Sequence, residues 1–509
     1  MLLQIRANRS GDKKHVLNTD THLCIPIIPF LFAYSPIHGY DQACIKPLEK
    51  APPDGRSKRE RIQVSLTDCL ACSGCVTSAE TVLISQQSHE EFFNLLSQKG
   101  GRTLSGESDS SESYLTVVVT LSHQIIASFA VRYEIQFQDA ADRLASFLKS
   151  LGVDYVFDLT LARHLALIEA GREFTDVWSK REDGSPGEKK LPILSTVCPG
   201  WVCYAEKTHG NLVPLLSRVK SPQQIMGSLV KDVWRQEKGI QGRIHHVTIM
   251  PCFDKKLEAS RSNFMSPETR EKDVDSVLTP IEVQQILDAR GIWFPGIPIL
   301  PQSMDVVHAL SHTCVGGGGD EKEKNNDSSI LSHFGSGSGG HAENVLVYAA
   351  QRLLHRESLS HTDLVYETRR NADFLEILVS DQTGERKLLF AIVNGFRNIQ
   401  TLVQKVKRGK CEYDFVEVMA CPSGCLNGGA QLKPDNGDVG GSGSGDSFSD
   451  RIKGVYRSLR EINLPLDSSA DPVKQLYDHW FPTPEIRERI FYTDFKAVPK
   501  TENLLTMTW

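Results

Sequence analysis

No apolar run in this 509-residue chain is long enough to cross a bilayer. The strongest one near the start, 23–34, falls short of the roughly 20 residues a membrane helix needs and carries Pro26 and Pro29. Lys13 and Lys14 precede it as they would in a signal peptide, but the cysteine usage described below suits a reducing compartment, so an N-terminal extension is the favoured reading. Charge of one sign is scarce too. With 57 basic and 63 acidic side chains the net charge is -6, which argues against a nucleic-acid-binding field, and a hydrophobic fraction of 40% argues against disorder. There is no repeat of fixed period and no Walker A sequence. A chain of this length needs no disulfides to hold a core and allows about two to four domains.

Cysteine, by contrast, is plentiful and patterned. Eight of the twelve fall into two sets of four: Cys44 (CIKP) with Cys69, Cys72 and Cys75 (CLACSGC), and Cys198 (CPGW) with Cys252 (MPC), Cys421 and Cys425 (ACPSGC). Two complete four-thiolate sets point to two iron–sulfur clusters, since three thiols at CxxCxxC pitch wrap one face of a compact cuboidal cluster and a remote cysteine supplies the fourth corner. The competing reading of the first set is a zinc knuckle, although zinc sites more often pair two CxxC units or add histidines. For the second set the competing reading is buried free cysteines. Cys24, Cys203, Cys314 and Cys411 show no ligand pattern, although Cys203 lies near enough to Cys198 in sequence to serve as a spare ligand. Reduced thiols place the protein in the cytoplasm, with the nucleus as a second site.

Short β-branched runs at 115–121, 153–159, 191–197, 244–250, 388–394 and 415–420 read as buried strands. Helical patterns lie between them at 139–152, at 221–236 with Ser221 as N-cap and Pro222 at N1, and at 398–409. This alternation predicts an α/β architecture with mostly parallel sheets. Cys198, Cys252 and Cys421 then each follow a strand, and the carboxyl ends of strands in open α/β sheets are where ligands bind. Stretches from Gly100, Val315 and Asn436, rich in Gly, Ser and charge, read as surface insertions. Gly335, Gly337 and Gly340 match GxGxxG, but they follow a polar insertion and not a strand, so a flexible loop is the favoured reading over a dinucleotide site. Such a loop, entering a helix at His341, could still approach a cluster closely.

CLACSGC, TVCPGW, MPCFDKKLEAS and VMACPSGCLNGGAQ, in that order, resemble the eukaryotic iron-only hydrogenase-like proteins, also called the nuclear prelamin A recognition factor family, and most closely its cytosolic iron–sulfur assembly branch. The likeness runs from about Cys44 to Trp509. It implies two α/β lobes around a buried cluster, a small N-terminal cluster-binding region, and two [4Fe-4S] clusters, one on Cys44, Cys69, Cys72 and Cys75 and one on Cys198, Cys252, Cys421 and Cys425. It further implies relay of clusters from a P-loop NTPase scaffold to a targeting complex that contains a WD40 propeller, for client apoproteins that include DNA repair and replication enzymes, with no direct nucleic-acid or membrane partner. The expected organisation is an atypical extension at 1–41, the first cluster region at 42–100, a hydrogenase-like region at 114–435 and a helical C-terminal region with a targeting tail at 436–509. Residues 1–41 depart from the family pattern.

Within MPCFDKKLE, Cys252, Lys255 and Glu258 keep a PCxxKxxE pattern resembling a hydrogenase active-site loop, which makes hydrogen activation the enzyme alternative. Hydrogenases of this type place a proton-relaying cysteine immediately before the first ligand. Val197 stands there instead and carries no exchangeable proton. Lys255 is then read as neutralising an anionic cluster, or as a surface lysine beside Lys256. A zinc-binding nuclear interaction protein is a third possibility. The final tripeptide, Met507, Thr508 and Trp509, resembles a short tail that docks on the targeting complex, Thr508 replacing the usual acidic residue or serine. Physically, an exposed indole and a terminal carboxylate suit a pocket with a basic rim.

Overall fold

The computed structural model describes residues 78–102, 115–182, 191–266, 269–305, 330–432, 448–459, 466 and 472–498. Nine strands are present among them: β1 (Leu115–Leu121), β2 (Tyr155–Asp158), β3 (Ile193–Leu194), β4 (Arg243–Ile249), β5 (Ser276–Leu278), β6 (Tyr366–Thr368), β7 (Phe374–Ser380), β8 (Lys387–Asn394) and β9 (Phe415–Met419). They form two sheets, ordered β2-β1-β4-β5 and β3-β9-β8-β7-β6.

The first sheet is parallel throughout, with Val119 opposite Val156 on one side and Val247 on the other. Both faces of β1 are covered, which is why its sequence is apolar and β-branched without a polar alternation. Val117, Val119 and Leu121 pack with the helices His123–Tyr133, Phe137–Ser150 and Pro280–Ala289, while Val118 joins the core of the helices Thr160–Glu182 and Pro222–Leu229. The second sheet is mixed. β3, β9 and β8 run parallel, whereas β7 and β6 complete an antiparallel edge. Its Phe390 and Phe415 enter the same central core as Val118, with Phe174 edge-on to Phe390 at 4.9 Å. Leu194, Ala391, Val393, Val416 and Val418 cover the other face with Trp201, Ile399 and Leu402. Two α/β lobes thus share one central core, as the fold class read from the sequence requires.

Several boundaries differ from expectation. The strand expected at 191–197 forms ladder pairs only at Ile193–Leu194; Ser195 still donates to Val416 of β9 (2.9 Å), and Thr196 Oγ1 then donates to the carbonyls of Ser217 and Val219. Strands β5, β6 and β7 were not anticipated; β6, at the sheet edge, is exposed at all three positions and carries no apolar signature. The helix after Ser221 is regular only over Pro222–Leu229 and continues as a π turn, Val230–Trp234, that ends at Trp234 packed edge-on against Phe157. Ser221 precedes that helix in extended conformation but does not cap it, because its hydroxyl donates to Glu258 instead (2.9 Å). Of the expected insertions, Gly100 to Arg102 complete the helix His89–Arg102, and the remainder of that stretch, with those after Val315 and Asn436, lies outside the described residues. Among the described residues no helix is long and apolar enough to cross a membrane.

Candidate metal centre

Three strand ends deliver the second cysteine set. Beyond β3, Cys198 takes the extended N-cap position of the helix Pro199–Thr208, whose Trp201 is fully buried. Beyond β4, the backbone of Met250 donates to Leu278, and Pro251 and Cys252 then lead into the helix Asp254–Ser260. Beyond β9 comes Cys421, and the chain reverses through left-handed Ser423 (φ 60) and Gly424 (φ 71) into the turn Gly424–Asn427 that carries Cys425. Asp373 holds this reversal by accepting the Ser423 N–H at 2.7 Å. The following segment closes on the Cys252 loop, where Ala430 donates to the carbonyl of Pro251 at 3.0 Å.

None of the four cysteines is held in a disulfide. They also sense one another: burial first, then Asp254, Cys421, Cys425 and Cys198 push the Cys252 thiol well above its ordinary range. Burial and the charge of Cys425 push Cys198 up to about 12, against backbone N–H bonds from Ala420 (3.3 Å to Sγ) and Trp201 that favour its thiolate. Cys425 is raised by burial, with Lys255 and Arg163 acting the other way. Burial thus disfavours the thiolates of Cys198, Cys252 and Cys425 unless a cationic group replaces their protons, as a metal does at a thiolate site. Among the described residues no three Cys, His, Asp or Glu groups are arranged to hold a single metal ion.

The glycine loop at 335–340 borders this centre, and the flexible-loop reading is overturned. Ser336 donates to Glu417 of β9 at 2.5 Å, and Ser338 Oγ accepts the Cys425 N–H at 3.0 Å. Gly340 has φ 68, and a Cβ there would sit 2.1 Å from the carbonyl of Phe334. Glycine is needed for the conformation and for the close approach. The loop therefore reaches the second cysteine set at Cys425. Ser338 itself was not singled out from the sequence; its only signal was its place inside that loop.

Lys255 and Glu258 pair with each other at 2.9 Å in a buried network in which Ser221 and Gln223 also donate to Glu258. Lys255 is thus balanced by a carboxylate and does not stand as a free counter-charge. Lys256 is not a surface residue but is 1% exposed, with its ammonium held by Glu282 (2.6 Å) and the Gln87 carbonyl (2.7 Å). Val197 is buried beside the centre in the same apolar group as Trp201. The spare-ligand reading of Cys203 finds no support: its charged neighbours are Arg261, Asp254, Lys207 and Glu206, with Arg261 Nη1 3.8 Å from its sulfur. Cys411 packs at the edge of the second sheet's core. Cys24, Cys44, Cys69, Cys72, Cys75, Cys314, Met507, Thr508 and Trp509 lie outside the described residues.

Residues 115–429 match the family described as iron only hydrogenase large subunit, C-terminal domain. Among curated relatives, the Xenopus tropicalis protein named cytosolic Fe-S cluster assembly factor narfl is 40% identical over 92% of this chain and 96% of its own length. The Rattus norvegicus cytosolic iron-sulfur assembly component 3 is 41% identical over the same shares. Solved [FeFe]-hydrogenases share the fold at 23% identity: a structure concerned with stepwise H-cluster assembly has a TM-score of 0.63 and covers 81% of this chain and 99% of its own. An apo variant from Chlamydomonas reinhardtii has a TM-score of 0.61, covering 79% and 99%. With the family match over 115–429 and relatives at 40% and 41% identity over 92% of the chain, the chain belongs to the iron-only hydrogenase-like family, in the branch whose members are named cytosolic iron–sulfur assembly factors.

Proposed function

We propose that this protein is a non-catalytic iron–sulfur protein of cytosolic iron–sulfur assembly. It binds two [4Fe-4S] clusters, on Cys44, Cys69, Cys72 and Cys75 and on Cys198, Cys252, Cys421 and Cys425, and relays clusters from a P-loop NTPase scaffold to a WD40-propeller-containing targeting complex for cytosolic and nuclear apoproteins. The observation that carries this reading is the convergence on Cys252 of Cys198, Cys421 and Cys425, brought from three strand ends and close enough to raise its thiol, in a chain whose relatives are named assembly factors.

A zinc ion, bound at about 2.3 Å to each sulfur, draws four thiolates to within roughly 4 Å of one another. The reading of clusters over single ions rests on the two four-cysteine sets and the CxxCxxC pitch of the first. When bound, such a cluster supplies one-electron chemistry and iron corners for thiolate exchange. The chain supplies the thiolates, the Ala420 N–H that favours the Cys198 thiolate, and the Ser338 hydroxyl that fixes the Cys425 turn. At Val197 it supplies only a buried hydrocarbon, so protons have no relay from that position. This separates the assembly reading from hydrogen activation.

Anaerobic purification with iron and sulfide quantitation, followed by electron paramagnetic resonance after reduction, tests the proposal. About eight iron and eight sulfide per chain are expected for two such clusters. Stoichiometric zinc without acid-labile sulfide would overturn it, and hydrogen evolution from a reduced dye without hydrogenase maturation enzymes would overturn the non-catalytic part.

A further inference from the structure

Five cationic side chains are more than nine-tenths buried among the described residues: Arg163, Lys220, Lys231, Lys255 and Lys256. Four have a carboxylate within ion-pair distance, namely Asp273 for Lys220 (2.9 Å), Asp275 for Lys231 (2.7 Å), Glu258 for Lys255 (2.9 Å) and Glu282 for Lys256 (2.6 Å). Arg163, only 2% exposed, has none among the described residues. Its guanidinium donates to the neutral hydroxyl of Tyr456 at 2.7 Å. Asp158 lies within its field but is bonded to the Thr160 N–H and not to the guanidinium. Three more buried side chains surround it, His123, His333 and His341, each with an unpartnered Nδ1. Burial, and the positive charge of Arg163 itself, push all three below the ordinary imidazole range, so none brings a counter-charge.

A buried guanidinium without an anion is strongly unfavourable, and this one sits where an anion is expected. A Cβ on Gly339 would lie 3.9 Å from Arg163 Nε and 3.3 Å from His341 Nδ1, while the neighbouring Ser338 accepts the N–H of Cys425. One glycine-containing loop therefore separates Arg163 from the second cysteine set. Four thiolates on a [4Fe-4S] core carry net negative charge, and Lys255 is already balanced by Glu258.

We propose that Arg163 is the fixed counter-charge of the second cluster, a positioning residue that stabilises the cluster's negative charge from behind the glycine loop and holds its reduction potential up. The inference rests on the reading that Cys198, Cys252, Cys421 and Cys425 bind that cluster. Adding an electron makes the cluster more negative, so removing a nearby positive charge makes reduction harder and moves the potential down.

The test is a redox titration of anaerobically purified full-length holoprotein, followed by electron paramagnetic resonance, for the natural chain, Arg163→Gln and Arg163→Lys. The reading beneath it is checked first and separately: Cys421→Ser must remove one cluster signal, and that signal is the one titrated. Arg163→Gln is expected to lower the reduced-to-oxidised ratio of this cluster at fixed potential about tenfold, equivalent to 59 mV for one electron, with Arg163→Lys shifting much less. An unchanged potential in Arg163→Gln, or an equal shift in both variants, would overturn the proposal. If Arg163→Gln fails to retain the cluster, iron and sulfide content decides: retention in Arg163→Lys supports a charge role, and equal loss in both refutes it.

Discussion

Replacing Gly337 by alanine is expected to disturb the second cysteine site through one side chain. A Cβ at this position would stand 2.1 Å from Leu426 Cδ1 and 2.4 Å from its Cγ, far inside van der Waals contact. Leu426 follows Cys425 in the Gly424–Asn427 turn and is 4% exposed, packed in the core that also holds Val119. The loop has little freedom to retreat, because the Gly337 carbonyl accepts Gln124 Nε2 at 2.9 Å and Ser338 holds the Cys425 N–H. Overpacking of this kind costs about 1–3 kcal/mol. Leu426→Ala alone should cost about 2–5 kcal/mol through the cavity it leaves. In the double variant the new methyl enters that cavity, so the combined loss should fall short of the sum by about 1 kcal/mol or more. Thermal unfolding of the anaerobic holoproteins and iron per chain are the readouts, with iron reduced in Gly337→Ala and partly restored in the double variant. Normal stability and full iron in Gly337→Ala, or strict additivity, would refute the reasoning.

Cys421→Ser should lower both soluble yield and total iron, because its ligand set ties three strand ends together, whereas Cys72→Ser should lose iron and spare the fold; circular dichroism and iron assays on the two would show the contrast, and a fully stable Cys421→Ser protein would end the structural assignment. His246 is fully buried, 2.8 Å from Thr120 Oγ1, and burial first, then Lys231, lowers its pKa from 6.5 to about 3. Its neutral form therefore contributes stability that is fully present above pH 6.5 and is lost as the pH falls from 6.5 toward 3 while the unfolded chain takes up a proton. The thermal midpoint of His246→Gln should accordingly fall less between pH 6.5 and 5 than that of the natural chain, the difference amounting to about 2 kcal/mol, and parallel curves would contradict this. Deleting Trp509 should weaken binding to the propeller-containing complex about thirtyfold, the loss typical of an aromatic anchor, with both clusters intact; titration calorimetry giving an unchanged Kd would leave the tail without that role.

Local sequence was informative wherever a local property decides the outcome. β1, β4 and β9 are buried on both faces and so read as short apolar runs, and the cysteines directly after β4 and β9 could be placed at strand ends before any geometry was known. Cysteine spacing likewise pointed to thiolate chemistry, because ligand type and pitch are properties of the chain itself. The exposed strand β6 was invisible for the opposite reason: an edge strand is defined by its partner, here Leu375 to Ile377 of β7, and not by its own composition.

The polar residues around the centre escaped in the same way. Lys255 and Lys256 are adjacent and chemically identical, yet one pairs with Glu258 three residues on and the other with Glu282, far along the chain. Arg163 carried no signal in the sequence; its burial and its lack of a carboxylate partner among the described residues appear only in the fold. The glycines at 335–340 read as loop punctuation until Glu417 and Cys425 were found bonded across the loop. The sequence by itself determined the α/β fold class and the placing of the second cysteine set at strand ends, since these follow from periodicity and residue type. Only the tertiary structure decided which charges are paired, which glycines are steric requirements and which buried cation has no carboxylate partner among the described residues, because burial and most of these contacts depend on residues tens to hundreds of positions apart.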